Sequence, residues 1–226
     1  MLGVIVVFAI SWLLLWLFSK KHIAVLGIIP NEKRLREFAI GLILMGSFCA
    51  INLLGQSYFK EICYVRNLSY GFGESLNGIW WTLKAVLFEE LIFRGAILYL
   101  LIKRIGTNRA CIISAIAFGI YHWFSYQMFG RGIIPMIYVF LLTGAGGWMF
   151  AYAFSKTKSL YAPLGLHFGW IVVSIVVFSA GPLGDSIFIT QGDPVELSGW
   201  EQLLFFAWQT FIIPGIVTWY LIKKYK

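Results

Sequence analysis

The stretch FEELIFRG, Phe88 to Gly95, sets two adjacent carboxylates and a guanidinium between the apolar runs WWTLKAVL and AILYLLI. An ionised side chain at the centre of a bilayer costs ~2.5–3.5 kcal/mol on insertion scales. Glu89, Glu90 and Arg94 therefore need either partners or a task. On a helix Glu90 and Arg94 are i and i+4, one turn apart on one face, with the carboxylate preceding the cation in the better order. The planar guanidinium fork suits a carboxylate, so Arg94 can neutralise Glu90 locally. Glu89 is turned by about 100° from Glu90 and must find its own partner. The spacing thus predicts a structural Glu90–Arg94 pair and a functional Glu89.

Two other titratable side chains fall inside apolar runs, His122 and His167. At ~1.5 Å of rise per residue, they and Glu89 can meet near the middle of a membrane. A carboxylate and two imidazoles on three helices make a constellation for activating water. Two His and one Glu would also suit a catalytic zinc with an open fourth position, but no HExxH-type helix is present. Each residue also has a plain structural reading: a membrane histidine can be a hydrogen-bonded packing residue, and EExxxR can be a self-neutralised helix contact. The remaining intramembrane cation, Lys84, lies near a span end and can extend its ammonium to the interface. His22 follows two lysines at an interface.

These residues sit in a chain of 226 residues, 60% hydrophobic and only 12% charged. A soluble domain has roughly 25% charged residues, so the class is an all-α polytopic membrane bundle, read as a single domain over 1–226. Stretches near the ~20 residues needed to cross the hydrocarbon occur at 2–18, 38–56, 80–102, 110–128, 133–154, 160–180 and 201–222. That is about seven spans, with room for an eighth helix. The first run lacks a positive leader and a small-residue cleavage site, and reads as a retained span. Gly144, Gly146 and Gly147 in one span are expected to permit close helix contact. The three cysteines (Cys49, Cys63, Cys111) have no metal-type spacing and form no even disulfide framework.

The net charge of +8 could suggest nucleic acid, but its distribution fits topology better. If the segment after the first span is cytoplasmic, thirteen of the eighteen Lys and Arg lie inside, the Lys223–Lys226 tail among them, and Lys60, Arg66 and Arg131 lie outside. The positive-inside rule then predicts an outer N-terminus and an inner C-terminus. The expected partners are membrane lipids and a membrane-associated or lipidated peptide or protein, with no nucleic acid. The segment 58–78 is expected to lie along the outer interface, and the acidic Gly/Pro-containing loop after residue 180 to be a solvated loop.

EELIFR (Glu89–Arg94) resembles the EExxxR motif of the CAAX-protease and bacteriocin-processing (CPBP, Abi) membrane proteins. FGIYH (Phe118–His122) resembles their FxxxH motif and HFGWI (His167–Ile171) their HxxxN motif, so the resemblance covers roughly residues 80–175. It implies an intramembrane endopeptidase of a bacterial plasma membrane, without a required cofactor. In it Glu89 and His122 activate the water, His167 helps hold the tetrahedral oxyanion, and Glu90 and Arg94 support the site. Some annotations of such proteins imply a metalloprotease, which would make Glu89, His122 and His167 zinc ligands. The departure is Ile171, where the pattern has Asn: isoleucine donates no hydrogen bond, so one oxyanion donor is missing. That favours a rival reading, a non-catalytic immunity or scaffold protein. A proton-coupled transporter using Glu and His as a relay is a third, opposed by the lack of a visible inverted repeat.

Overall fold

A computed structural model describes residues 2–184 and 186–225; Lys226 of the basic tail therefore lies outside the described residues, as does Asp185 of the acidic loop. The described chain is almost wholly helical. Helix α1 spans Leu2–Ser19 and α2 Glu32–Phe59. Helix α3, Phe72–Arg94, is followed after the single residue Gly95 by α4, Ala96–Ile105. Then come α5 (Thr107–Ser125), α6 (Ile133–Thr157) and α7 (Tyr161–Val172), which runs on into a π-helical turn, Val173–Val177. The last stretch is α8 (Gly199–Ala207), a second π-helical turn (Trp208–Ile212) and α9 (Ile213–Lys224).

Helix starts follow local chemistry. The Asn31 side chain accepts from the Arg34 N–H at 2.9 Å, so α2 begins at Glu32. The Glu74 carboxylate accepts from the Gly71 N–H at 3.0 Å and closes the start of α3. At Gly95 a Cβ would stand 2.1 Å from the Leu91 carbonyl oxygen, so the break between α3 and α4 requires glycine.

Four helices are long and apolar enough to cross a membrane: Leu2–Ser19, Glu32–Phe59, Ile133–Thr157 and Gly199–Lys224; Tyr161–Val177 is a shorter apolar helix. Only Ser11 and Leu15 of α1 are buried, and Ile5, Trp12, Trp16 and Phe18 face outward. An apolar exterior of this kind suits lipid rather than water.

The elements that frame the site touch backbone to backbone. Helix α2 runs parallel to α7, with Gly165 against Phe38 and Gly169 against Leu42. A Cβ at Gly165 would lie 2.3 Å from the Phe38 carbonyl oxygen, and one at Gly169 would lie 2.4 Å from that of Leu42. Helices α5 and α6 make a second close contact through Gly119 and Gly147. Of the three glycines expected to bring helices together, Gly147 does so, its Cβ position 2.9 Å from the Phe118 ring; Gly144 and Gly146 have only ordinary contacts.

At one end of the bundle Leu160 N–H donates to Leu26 O (3.1 Å) and Tyr225 OH to Glu37 Oε1 (2.7 Å). Beside them lies a dry core that includes Leu15, Leu26, Leu98, Ala110 and Phe154. At the other end two short strands pair antiparallel: β1, Cys63–Arg66, and β2, Phe188–Gln191, with Cys63 opposite Gln191. The two segments expected to be an interfacial stretch and a plain loop thus form a small sheet. Each strand has only four residues, too short for a period-2 pattern to declare itself.

Candidate active site

The three motif-bearing helices, α3, α5 and α7, bring their polar residues together. Glu90 and Arg94 are completely buried, with Arg94 Nη1 3.3 Å from Glu90 Oε1. The guanidinium also lies over the rings of Phe118 (4.2 Å) and Phe150 (5.1 Å), which lets aromatic faces share in solvating the cation. Its Nη2 donates to the Gly147 carbonyl at 3.4 Å, made reachable by the close approach of α6. The i, i+4 pair read from the sequence is present.

That pair has a third member. His167 Nδ1 is 2.9 Å from Glu90 Oε1, so Glu90 ties α3 to α7 as well as to Arg94. Phe150 stacks on the His167 ring, centroids 4.7 Å apart and planes 19° apart. The other imidazole nitrogen, Nε2, points toward Glu89 Oε2 at 3.8 Å. This is too long for a direct hydrogen bond. Glu89, with 18% of its side chain exposed against 0% for Glu90, is the accessible carboxylate. Tyr121, one residue before His122, lies near Glu89.

His122 Nδ1 lies 2.8 Å from the Phe118 carbonyl oxygen, one turn back on α5. A carbonyl only accepts, so Nδ1 carries the proton and Nε2 of the neutral ring is left as an acceptor. The ring is wedged between Phe118 (4.4 Å) and Tyr126 (5.0 Å).

Glu89, His122, His167 and Ile171 line one cavity of about 520 Å³. A smaller one of about 120 Å³ lies alongside, and His122, Tyr126, His167, Trp170, Ile171 and Gln209 border both. The π-helical turns sit at this junction, one just past Ile171 and the other carrying Gln209; such turns recur at functional sites. Among the described residues no group of three His, Cys, Asp or Glu side chains is close enough together to hold a metal ion as it stands.

All three candidates line the cavity, and Glu90, the buried neighbour of Glu89, does not. Sequence reasoning missed the Glu90–His167 bond, Tyr121 beside Glu89, and Asn52 and Gln209 on the cavity wall. Tyr121 was within reach, since it stands inside FGIYH. Asn52 and Gln209 lie outside every motif, and only long-range packing brings them in.

Residues 72–173 match the family described as type II CAAX prenyl endopeptidase Rce1-like. No curated protein and no solved structure matches the chain. The match spans all three motifs and every acidic and imidazole group of the cluster. The matched segment is the one that builds this site, α3 through α7, and its similarity to the Rce1-like family agrees with the resemblance carried by the three motifs.

Proposed function

We propose that the chain is an intramembrane endopeptidase that hydrolyses a peptide bond with water activated by Glu89 and His122. The observation that carries this is the position of Glu89: it is the one acidic residue among those lining the larger cavity, and it faces His167 and Tyr121. Glu89 takes the proton of the attacking water while His122 Nε2, an acceptor lining the same cavity, orients it. The hydroxide adds to the scissile carbonyl, and the proton held by Glu89 passes to the leaving amine as the C–N bond breaks.

His167 is suited to the oxyanion. With Nδ1 donating to Glu90 and Nε2 aimed into the cavity, its imidazolium form offers one donor to a developing negative charge. Two carboxylates, Arg94 and a protonated His167 sum to zero charge, the arrangement that a site buried from water favours. The mechanism requires no metal. Ile171 lines the cavity beside His167 and adds no donor, the feature that keeps a non-catalytic immunity or scaffold role as the second reading.

The helices, with α3 and α4 taken together across the break at Gly95, serve as seven spans, with the N-terminus out and the C-terminus in. The contacts of Leu26 with Leu160, of Arg104 with Phe18 and of Lys156 with Tyr225 support this, because they gather the basic segments at one end of the bundle. Lipids surround the apolar exterior, and the substrate is a membrane-associated or lipidated peptide.

The test is a comparison of peptides produced by membranes carrying the wild-type chain and Glu89→Gln. The variant keeps shape and hydrogen bonding but cannot take a proton. It is expected to accumulate normally and to lose every chain-dependent product; normal proteolysis by Glu89→Gln would refute the assignment.

A further inference from the structure

We infer that Gln209 is a catalytic residue, whose side-chain amide donates to the oxyanion beside His167 and takes the part that Ile171 cannot. The assignment rests on the peptidase reading above and completes its account of the negative charge.

Gln209 is costly where it stands. The last helical stretch, Gly199–Lys224, is long and apolar enough to cross a membrane. Beyond Gln202 near its start, Gln209 is its one carboxamide. A polar side chain at membrane depth calls for a partner or a task. Gln209 lies in the π-helical turn Trp208–Ile212, where the Ile213 N–H bonds to the Trp208 carbonyl five residues back. The longer bond accommodates one extra residue, which offsets the helix faces on either side by about 100°.

Both ends of that turn are packed on the wall of the site. Trp208 meets Phe48 of α2 edge-on, ring centroids 5.8 Å apart. Ile213, 1% exposed, belongs to a buried cluster with Met45, Phe118, Phe150 and Leu166. Phe118 and Phe150 are the rings that cover Arg94, and Phe150 stacks on His167. The segment that carries Gln209 is thus held against the same aromatic side chains that hold His167.

The amide is set to donate. Gln209 Nε2 gives one N–H to the Phe205 carbonyl oxygen at 3.2 Å. A carbonyl only accepts, so this bond fixes which end of the amide is nitrogen and leaves a second N–H. Gln209 lines both cavities together with His122, His167 and Ile171. As hydroxide adds to the scissile carbon, the C=O electron pair moves onto oxygen, and it returns when the C–N bond breaks. Between those events His167 Nε2–H and Gln209 Nε2–H serve as two donors to one oxygen. Tyr126 and Trp170 also border both cavities and carry one donor each. Tyr126, however, stands edge-on to the His122 ring, on the side that orients the water. Among the described residues, Gln209 is the one of these three whose donor a hydrogen bond holds in place.

The test is steady-state kinetics on an internally quenched peptide spanning a junction that membranes cleave in a Glu89-dependent way. Gln209→Met keeps length and volume and removes the amide. It is expected to lower kcat about 10²–10³-fold, with KM nearly unchanged. Adding Ile171→Asn to Gln209→Met is expected to recover at least ~10-fold of that loss, because it returns a donor beside His167. Tyr126→Phe and Trp170→Phe should keep kcat near wild type. If Gln209→Met does not accumulate, Gln209→Leu is read in the same way. Wild-type kcat in Gln209→Met overturns the assignment, as does a rise in KM alone or a fall in kcat that Ile171→Asn does not recover. A loss confined to Tyr126→Phe or Trp170→Phe overturns it too, by giving the donor to that residue. Each of those outcomes leaves the peptidase reading standing, since the junction is cleaved through Glu89. The absence of any Glu89-dependent junction refutes that reading and the role of Gln209 with it.

Discussion

Glu89 and Glu90 are chemically identical neighbours whose surroundings give them different work. Glu90 is sealed between Arg94 and His167, so its charge is spent on holding two helices together. Removing one partner of a buried pair costs ~3–5 kcal/mol, because the other charge is left stranded. Arg94→Ala is therefore expected to lower the amount of folded protein and its thermal midpoint. Glu89→Gln should leave both near wild type, and thermal denaturation in detergent distinguishes the two variants. Ile171 concerns rate rather than folding. It borders both cavities one turn beyond His167, and loss of one oxyanion donor typically costs ~2.7–4 kcal/mol of transition-state stabilisation. Ile171→Asn is expected to raise kcat or leave it unchanged, with little change in KM on one peptide substrate; a large fall in kcat would show that Ile171 shapes the pocket. The Glu90–Arg94 pair was legible because i, i+4 geometry is local. That His167 binds Glu90 was not, since 77 residues separate them and nothing in either segment records the register of α3 on α7.

That register is set by elements, and by α2 more than any other. Helix α2 carries no motif, yet its backbone lies against Gly165 and Gly169, the turns that flank His167. With no hydrophobic drive between helices in lipid, close approach of small residues is a main source of association. Gly169→Val would place a branched side chain where even a Cβ stands 2.4 Å from Leu42 O. It is expected to push α2 from α7, cut activity at least tenfold by moving His167, and lower the thermal midpoint. Gly146→Ala, at a position with only ordinary contacts, should be near neutral in the same assays. The helices themselves were legible from runs of apolar residues, and four of those described are long and apolar enough to cross a membrane. The break at Gly95, the π-helical turns and the sheet were not. The first two are departures of a few residues within an apolar run, and the sheet pairs segments more than a hundred residues apart.

At the scale of the whole molecule, the distribution of charge distinguishes the two ends of the bundle. The basic segments after α1, around α4–α5, after α6 and at the end of α9 lie at one end, and the sheet with the acidic loop lies at the other. The Lys and Arg asymmetry acts during insertion, when cationic loops resist translocation. Helices α2, α3 and α7 fix the Glu89 cavity relative to the sheet end. The exposed residues Asp193, in the loop before α8, and Lys223, in the last turn of α9, report the two ends. A cysteine at Asp193→Cys should be modified by an impermeant maleimide added to intact cells, and one at Lys223→Cys only after permeabilisation. Both variants lie outside the cavity wall and should keep wild-type activity, so the labelling reads orientation alone. The reverse pattern would mean that the chain inserts against its own charge asymmetry.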